Sequence, residues 1–305
     1  MENDKKEKEK ENNEQKKKVD EKPFHYRHAR ANIAVDMVVF GVLPEKDELH
    51  VFVQRDKKEF KWSLPGRFMH CGISYDNEVA PDDNWTLEQT REAALHMSWP
   101  IKTIHDDKVL RPSEDYTIKL NDDLICQLDA MSVVNRDSRP ERVRVVSIPY
   151  LTLVRVQKDE MPSKVLDEDA EVARWLPLSE LINEDGTRGK TELDHDHFEI
   201  LSNGLKRLFQ EARTRPVGMG MLPSEFDISH LIHIYNAILK AMGVSVDRSN
   251  LRKLLLERGV IKETNNESAP GKTGTAYQFV VEKYDEYKKY LNFGFNQNQR
   301  KPKSK

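Results

Sequence analysis

The sequence predicts an α/β (α+β) body followed by a smaller helix–helix–hairpin unit. Short β-branched runs mixed with a few amphipathic helices dominate up to about residue 211, and two capped helices with a strand–turn–strand follow residue 220. The charge also changes sign between the two parts. Residues 1–22 hold eight basic and eight acidic side chains, residues 23–211 hold 25 and 35, and residues 212–305 hold 16 and nine, so the total of −3 is a cancellation. An acidic half and a basic half point to two bodies with different partners, and the basic one is the place to look for nucleic acid. No apolar run approaches the ~20 residues needed to cross a bilayer. The charged start lacks the apolar stretch of a signal peptide. Two cysteines, Cys71 and Cys126, cannot make a disulfide scaffold, so a cytoplasmic setting without membrane contact is expected.

In chain order, residues 1–22 are expected to be a disordered charged tail, since 16 of the 22 are charged and no core can offset the ordering entropy. The body spans 23–211. Ile33–Val42 and Leu49–Gln54 are strand-like, and Pro44–Asp47 supplies the turn of a hairpin. Arg142–Val156 is a longer β stretch in which Pro149 predicts an edge or a bulge. Thr86–Met97 and Asp196–Thr214 are helical; in the second, Phe198, Leu201, Leu205, Leu208 and Phe209 recur at three and four residues. A linker at 212–222 leads to a unit over 223–291, and 292–305 is expected to be a disordered basic tail.

Within 223–291, Asp227 can cap a helix ending at Gly243, and Asp247 a second helix, Arg248–Arg258, ending at Gly259. Val260–Glu263 and Ala276–Val281 are strand-like. Two helices and a hairpin in so short a segment make a winged helix-turn-helix. Leu251, Leu254 and Leu255 form the buried side of the second helix, leaving Arg248, Ser249, Asn250, Arg252 and Lys253 off that face. Arginine suits guanine, asparagine adenine and lysine phosphate, against the alternative of a solvated basic face. GKTG at 271–274 lacks the earlier glycine and the following helix of a phosphate loop; it is read as the wing tip, with Lys272 and Thr273 near backbone phosphate. DHDH at 194–197 precedes a helix, where its aspartates are natural caps, and no metal is assigned to it.

Residues 62–99 carry the most specific signal. WSLPGRF at 62–68, Gly72 and TREAAL at 90–95 resemble a Nudix box, the loop and helix whose glutamates hold divalent metal against a diphosphate. Arg67 stands at the first box glycine, Ile73 at the first glutamate, and Leu95 and His96 at the paired glutamates, leaving Arg91 and Glu92 as remnants. QLDAMSVVNRDSRPERVRVVSIPYLTL at 127–153, ARWLPLSEL at 173–181, LDHDHFEIL at 193–201, RPVGMGMLPSEFDISHLIHIYNAIL at 215–239, DRSNLRKLLLERGVI and APGKTGTAYQF follow in order. Together they resemble the bacterial Nudix-related transcriptional regulators, from about Ile33 to Tyr284.

The resemblance implies a Nudix-fold αβα sandwich with a C-terminal winged helix. It also implies a homodimer, a double-stranded DNA operator and a small effector, either ADP-ribose-like or, in a Bacteroidetes branch, a sugar such as arabinose tied to carbohydrate genes. Candidate effector residues are Arg55, Trp62, Arg67, Phe68, Arg136 and Asp137; core packing is the alternative for Trp62 and Phe68. The acidic body favours a neutral sugar unless these arginines outweigh it. No cofactor is expected. The rival is a divergent Nudix hydrolase using Glu92 with Asp76, Glu78, Asp82 or Asp83. The insert at 74–85 and the stretch 105–123 are longer than the family core needs.

Overall fold

A computed structural model describes residues 32–42, 48–56, 60–69, 71–73, 79–84, 86–98, 104–105, 108–109, 126–128, 131–133, 145–155, 170–214, 216–218, 221–244, 247–267 and 275–283. The two expected tails, most of 105–123, and Arg136, Asp137, Lys272 and Thr273 lie outside the described residues.

The body is built on one mixed sheet. Strands β1 (Asn32–Val42) and β2 (Leu49–Asp56) pair antiparallel, as the hairpin reading expects, with Phe40 opposite Val51 and Val42 opposite Leu49. Two short strands turn back on them: β3 (Trp62–Ser63) on β2 and β4 (Gly66–Phe68) on β1. Next come a hairpin of β5 (Cys71–Ile73) and β6 (Val79–Asn84), helix α1 (Leu87–Ser98), and a small hairpin of β7 (Ile104–His105) and β8 (Lys108–Val109). Strands β9 (Cys126–Gln127), β10 (Met131–Val133), β11 (Val145–Arg155) and β12 (Ala170–Pro177) complete the sheet. Helices α2 (Leu178–Leu181) and α3 (His197–Thr214) follow. The spatial order is β10-β11-β1-β2-β12, and β1 and β11 run parallel over their whole length.

A central strand covered on both faces is apolar on both, and β1 is so apart from Asp36. Val35, Met37 and Val39 cluster with Phe52, Ala94 of α1, Tyr150 and Trp175. The alternate side chains Val38, Phe40 and Val42 cluster with Ile200, Leu201, Leu205 and Leu208 of α3. Each fully buried large side chain here contributes about 1.5–3 kcal/mol of transfer free energy. Helix α3 lies so close to β1 that a Cβ on Gly204 would come within 2.8 Å of Val38 Cγ1. Helix α1 starts with a capping box: Gln89 N–H donates to Thr86 Oγ1, and Thr86 N–H donates to Gln89 Oε1.

Pro149 departs from expectation. The strand that holds it is interior and keeps an unbroken parallel register with β1, Asp36 lying opposite Pro149. The missing N–H is accommodated on the other side, where two short partners meet. Strand β10 pairs with Val145–Ser147 and β9 with Tyr150 and Leu151, while Leu128 N–H donates to the Pro149 carbonyl at 2.8 Å.

The C-terminal unit contains β13 (Phe226–Asp227), α4 (Ile228–Lys240), α5 (Arg248–Glu257), β14 (Ile261–Glu267) and β15 (Thr275–Phe279), with the strands in the order β13-β15-β14. Both predicted caps form: Asp227 accepts from Ser229 N–H, and Asp247 from Ser249 and Asn250 N–H. After α4, Gly243 takes the left-handed φ of 68° that closes a helix C-terminus, and Val244 N–H reaches back to the Leu239 carbonyl. Between α3 and α4, Val217 and Met221 join the core that contains both Leu208 of α3 and Ile234 of α4. Val217 N–H donates to the buried Tyr235 Oη at 3.0 Å.

Candidate functional site

Helix α5 presents two faces. Leu251 and Leu255 are buried against the body of the unit, while Ser249, Asn250, Arg252 and Lys253 are exposed. Arg248 is its first residue. The polar face is not a set of independent reaching side chains. Asn250 Nδ2 donates to Asp247 Oδ2 at 3.0 Å, and Lys253 lies 3.7 Å from Glu257. Arg252 turns toward the hairpin, donating from Nε to Tyr277 Oη at 2.6 Å and from Nη2 to Glu263 Oε1 at 2.7 Å. Glu263 and Tyr277 are cross-strand partners on β14 and β15. The Tyr277 hydrogen bond is the largest of the effects that raise the Arg252 pKa above its ordinary value; the charge of Tyr277 and the charge and hydrogen bond of Glu263 add to it, and desolvation opposes them.

Among the described residues, the predicted effector residues Arg55, Trp62, Arg67 and Phe68 do not converge on one point. Arg55 and Trp62 are opposite one another on β2 and β3, with the Arg55 guanidinium carbon 5.6 Å from the Trp62 ring centroid. The same carbon is 5.7 Å from the Phe60 ring. Phe60 is 61% exposed and has a φ of 57°, a strained value for a bulky residue. Trp62 packs on the same core as α3. Arg67 pairs with Val35, whose side chain lies on the α1 side of the sheet, and Phe68 pairs with Ala34. Side chains alternate along a strand, so Arg67 and Phe68 face opposite ways. Phe68 is 51% exposed, so the core-packing alternative does not describe it.

On the α1 side, the Arg91 guanidinium carbon is 5.5 Å from the Tyr150 ring. Burial first, then the Glu88 carboxylate, raises the Tyr150 pKa, and Arg91 opposes them. Glu92 is on α1 by its backbone; its side chain lies outside the described residues. The Asp82–Asp83 part of the insert is in β6, and Asp76 and Glu78 lie outside the described residues.

One junction escaped the sequence reading. Asp36, in the middle of β1, is 2% exposed. Its Oδ2 accepts a short hydrogen bond from the Ser147 hydroxyl, and its Oδ1 is 3.8 Å from His197 Nε2. His197 Nδ1 accepts the Leu64 N–H at 2.7 Å, so in the neutral ring the proton sits on Nε2 and faces Asp36. The box-like loop is thereby tied to the first turn of α3. A Cβ at Gly66, the first residue of β4, would overlap Asp36 Oδ1, so this position takes glycine. The available signal was a lone aspartate inside IAVDMVVFGV, since buried charges are paired. The DHDH string is absorbed here: Asp194 takes Lys61 at 3.3 Å and its own neighbour His195, and His197 takes Leu64. Among the described residues, no group of three or more His, Cys, Asp or Glu could hold a metal ion.

Residues 218–279 match the NrtR DNA-binding winged helix domain. The chain is 24% identical over 257 residues to the ADPR-responsive transcriptional repressor NtrR of Acinetobacter baylyi, covering 83% of this chain and 84% of that protein. It is similar in fold to Shewanella oneidensis NrtR at a TM-score of 0.53 and 18% identity, covering 83% of this chain and 95% of that one. It is similar also to a MutT/nudix family protein from Enterococcus faecalis at a TM-score of 0.54 and 22% identity, covering 85% and 90%. A crystal structure of the Shewanella protein contains a 27mer DNA and resembles this chain at a TM-score of 0.52. No helix among the described residues is long and apolar enough to cross a membrane.

Proposed function

We propose that the chain is a Nudix-related transcriptional regulator that reads duplex DNA with α5 and the β14–β15 hairpin, and that its Nudix-fold body binds a small effector without hydrolysing it. The observation that carries the DNA reading is the exposed polar face of α5, from Ser249 to Lys253, inside the segment that matches an NrtR DNA-binding winged helix. As a cytoplasmic homodimer, two such units would read a near-palindromic operator. Arg248, Ser249 and Asn250 would meet base edges, and Lys253, Lys272 and Thr273 the backbone.

Among the described residues, the donor set does not fit a catalytic divalent cation. Leu95 and His96 occupy the paired-glutamate positions on α1, and Glu88 is drawn into the helix cap, its pKa lowered by its own backbone hydrogen bond and by Thr86. A metal-assisted hydrolysis needs carboxylate ligands and an activated water, so no reaction step is assigned to this body.

For the effector, the similarity to an ADPR-responsive repressor and the guanidinium–aromatic group of Arg55, Phe60 and Trp62 favour an ADP-ribose-like nucleotide. Arginine suits phosphate, and the rings suit a base face. The excess of 35 acidic over 25 basic side chains in residues 23–211 favours the second reading, a neutral sugar such as arabinose. Coupling requires that the effector bind the DNA-competent and DNA-incompetent states differently. The packed path from Leu64 through His197 and α3 to Val217 and Tyr235 supplies a continuous connection. Thermal unfolding of the full chain with ADP-ribose or L-arabinose tests the choice. A rise with ADP-ribose that Arg55→Ala removes supports the nucleotide, a rise with arabinose alone supports the sugar, and release of ribose 5-phosphate from ADP-ribose with Mg²⁺ refutes the non-hydrolytic reading.

A further inference from the structure

Arg252 carries an inference that rests on α5 being the DNA-reading helix and changes what that helix does. By sequence it belongs with the base-reading side chains. In the structure its Nε–H and one Nη2–H, one complete edge of the guanidinium fork, are committed to Tyr277 Oη and Glu263 Oε1. Its carbon lies 5.6 Å from the Tyr277 ring. Tyr277 is itself 2% exposed and packs in the core of the unit against Phe226. Three contacts from one side chain therefore pin the middle of α5 to a cross-strand pair of the hairpin. Swinging Arg252 toward DNA would leave the Glu263 carboxylate uncompensated beside a polyanion, and like charges there oppose binding.

We propose that Arg252 is a positioning residue that fixes the angle between α5 and the β14–β15 wing and neutralises Glu263, and does not itself contact DNA. Operator discrimination then depends on a clamp of Arg252, Glu263 and Tyr277 held before DNA arrives. Pre-organisation of this kind improves discrimination because the wing and the helix engage DNA only as one rigid surface.

The probe is a duplex enriched from a random-sequence pool by the full wild-type chain, set against a random duplex of equal length, with affinities followed by fluorescence anisotropy over a salt series. Arg252→Gln and Glu263→Gln should each cut the ratio of the two affinities by about fivefold, as expected for a coupled pair, and the double variant should be no worse than either single. The double variant should also keep the wild-type slope of log affinity against log salt. Tyr277→Phe, which keeps the ring and removes only the hydroxyl, should shift the ratio the same way by a smaller factor. A lost fold would lower both affinities together and leave their ratio intact, and that result counts against the clamp. A direct phosphate contact predicts the opposite pattern: Glu263→Gln leaves or raises the ratio, and the double variant loses about 0.9 from the salt slope. Either result overturns the proposal. If Ser249→Ala and Lys253→Ala also leave binding unchanged, or no duplex is enriched, the DNA reading of α5 falls and the clamp with it. If Lys253→Ala weakens binding while Glu263→Gln does not, the clamp alone falls.

Discussion

The C-terminal unit and the sheet body organise their chemistry differently. In the unit, the exposed polar residues are neighbours along one helix, and local signals place them: Asp247 caps α5, Leu251 and Leu255 turn inward, and Ser249, Asn250, Arg252 and Lys253 are left outside. In the body, neighbours in sequence are sent apart. Arg67 and Phe68 adjoin on β4 and face opposite sides of the sheet, while Leu64 and His197, 133 positions apart, are joined by a hydrogen bond. The difference teaches that a helix period preserves a binding face that can be read from the chain, whereas a strand period and long-range pairing scatter one.

Three substitutions sharpen this comparison, taken from the largest expected effect. Phe40→Ala in β1 removes a fully buried ring where alternate strand side chains meet α3. It should cost about 3–5 kcal/mol in denaturant unfolding, and because Phe40 and Tyr235 share one core, it should lower the stability of both regions in a single transition. Two separated transitions would break that shared-core picture. Tyr235→Phe leaves the Val217 N–H without its acceptor inside that core, at a cost of about 1–3 kcal/mol. It should also weaken any effect of the effector on DNA affinity, measured by titrating effector into a preformed complex. Asp247→Ala removes the N-cap of α5 and should cost about 1 kcal/mol, with faster amide exchange confined to the first turn of α5.

Much of the architecture was legible because its signals are local. Caps at Asp227 and Asp247, helix-ending glycines at 243 and 259, and the β-branched runs of β1 and β11 each declare themselves within a few residues. Strand β13 did not, since Phe226–Asp227 is too short to show a period and exists only because β15 offers it an edge. Pro149 misled for a related reason: the rule that confines proline to edges assumes one continuous partner, and here β9 and β10 share that side. The polar contacts that matter to the sites were the least legible. Arg252 shows no partner in sequence until the fold brings Glu263 and Tyr277 across from it, and Asp36 none until β11 and α3 bring Ser147 and His197 to it.

The proposed reading of DNA by α5 is tested most directly by the duplex affinity of the full chain across a salt series, with wild type beside Lys253→Ala. DNA reading by α5 requires tight binding to an enriched duplex that weakens steeply with salt, with the variant losing about 0.9 from the slope on both enriched and random duplex. Binding that is indifferent to salt, or a slope that Lys253→Ala leaves unchanged, would contradict it.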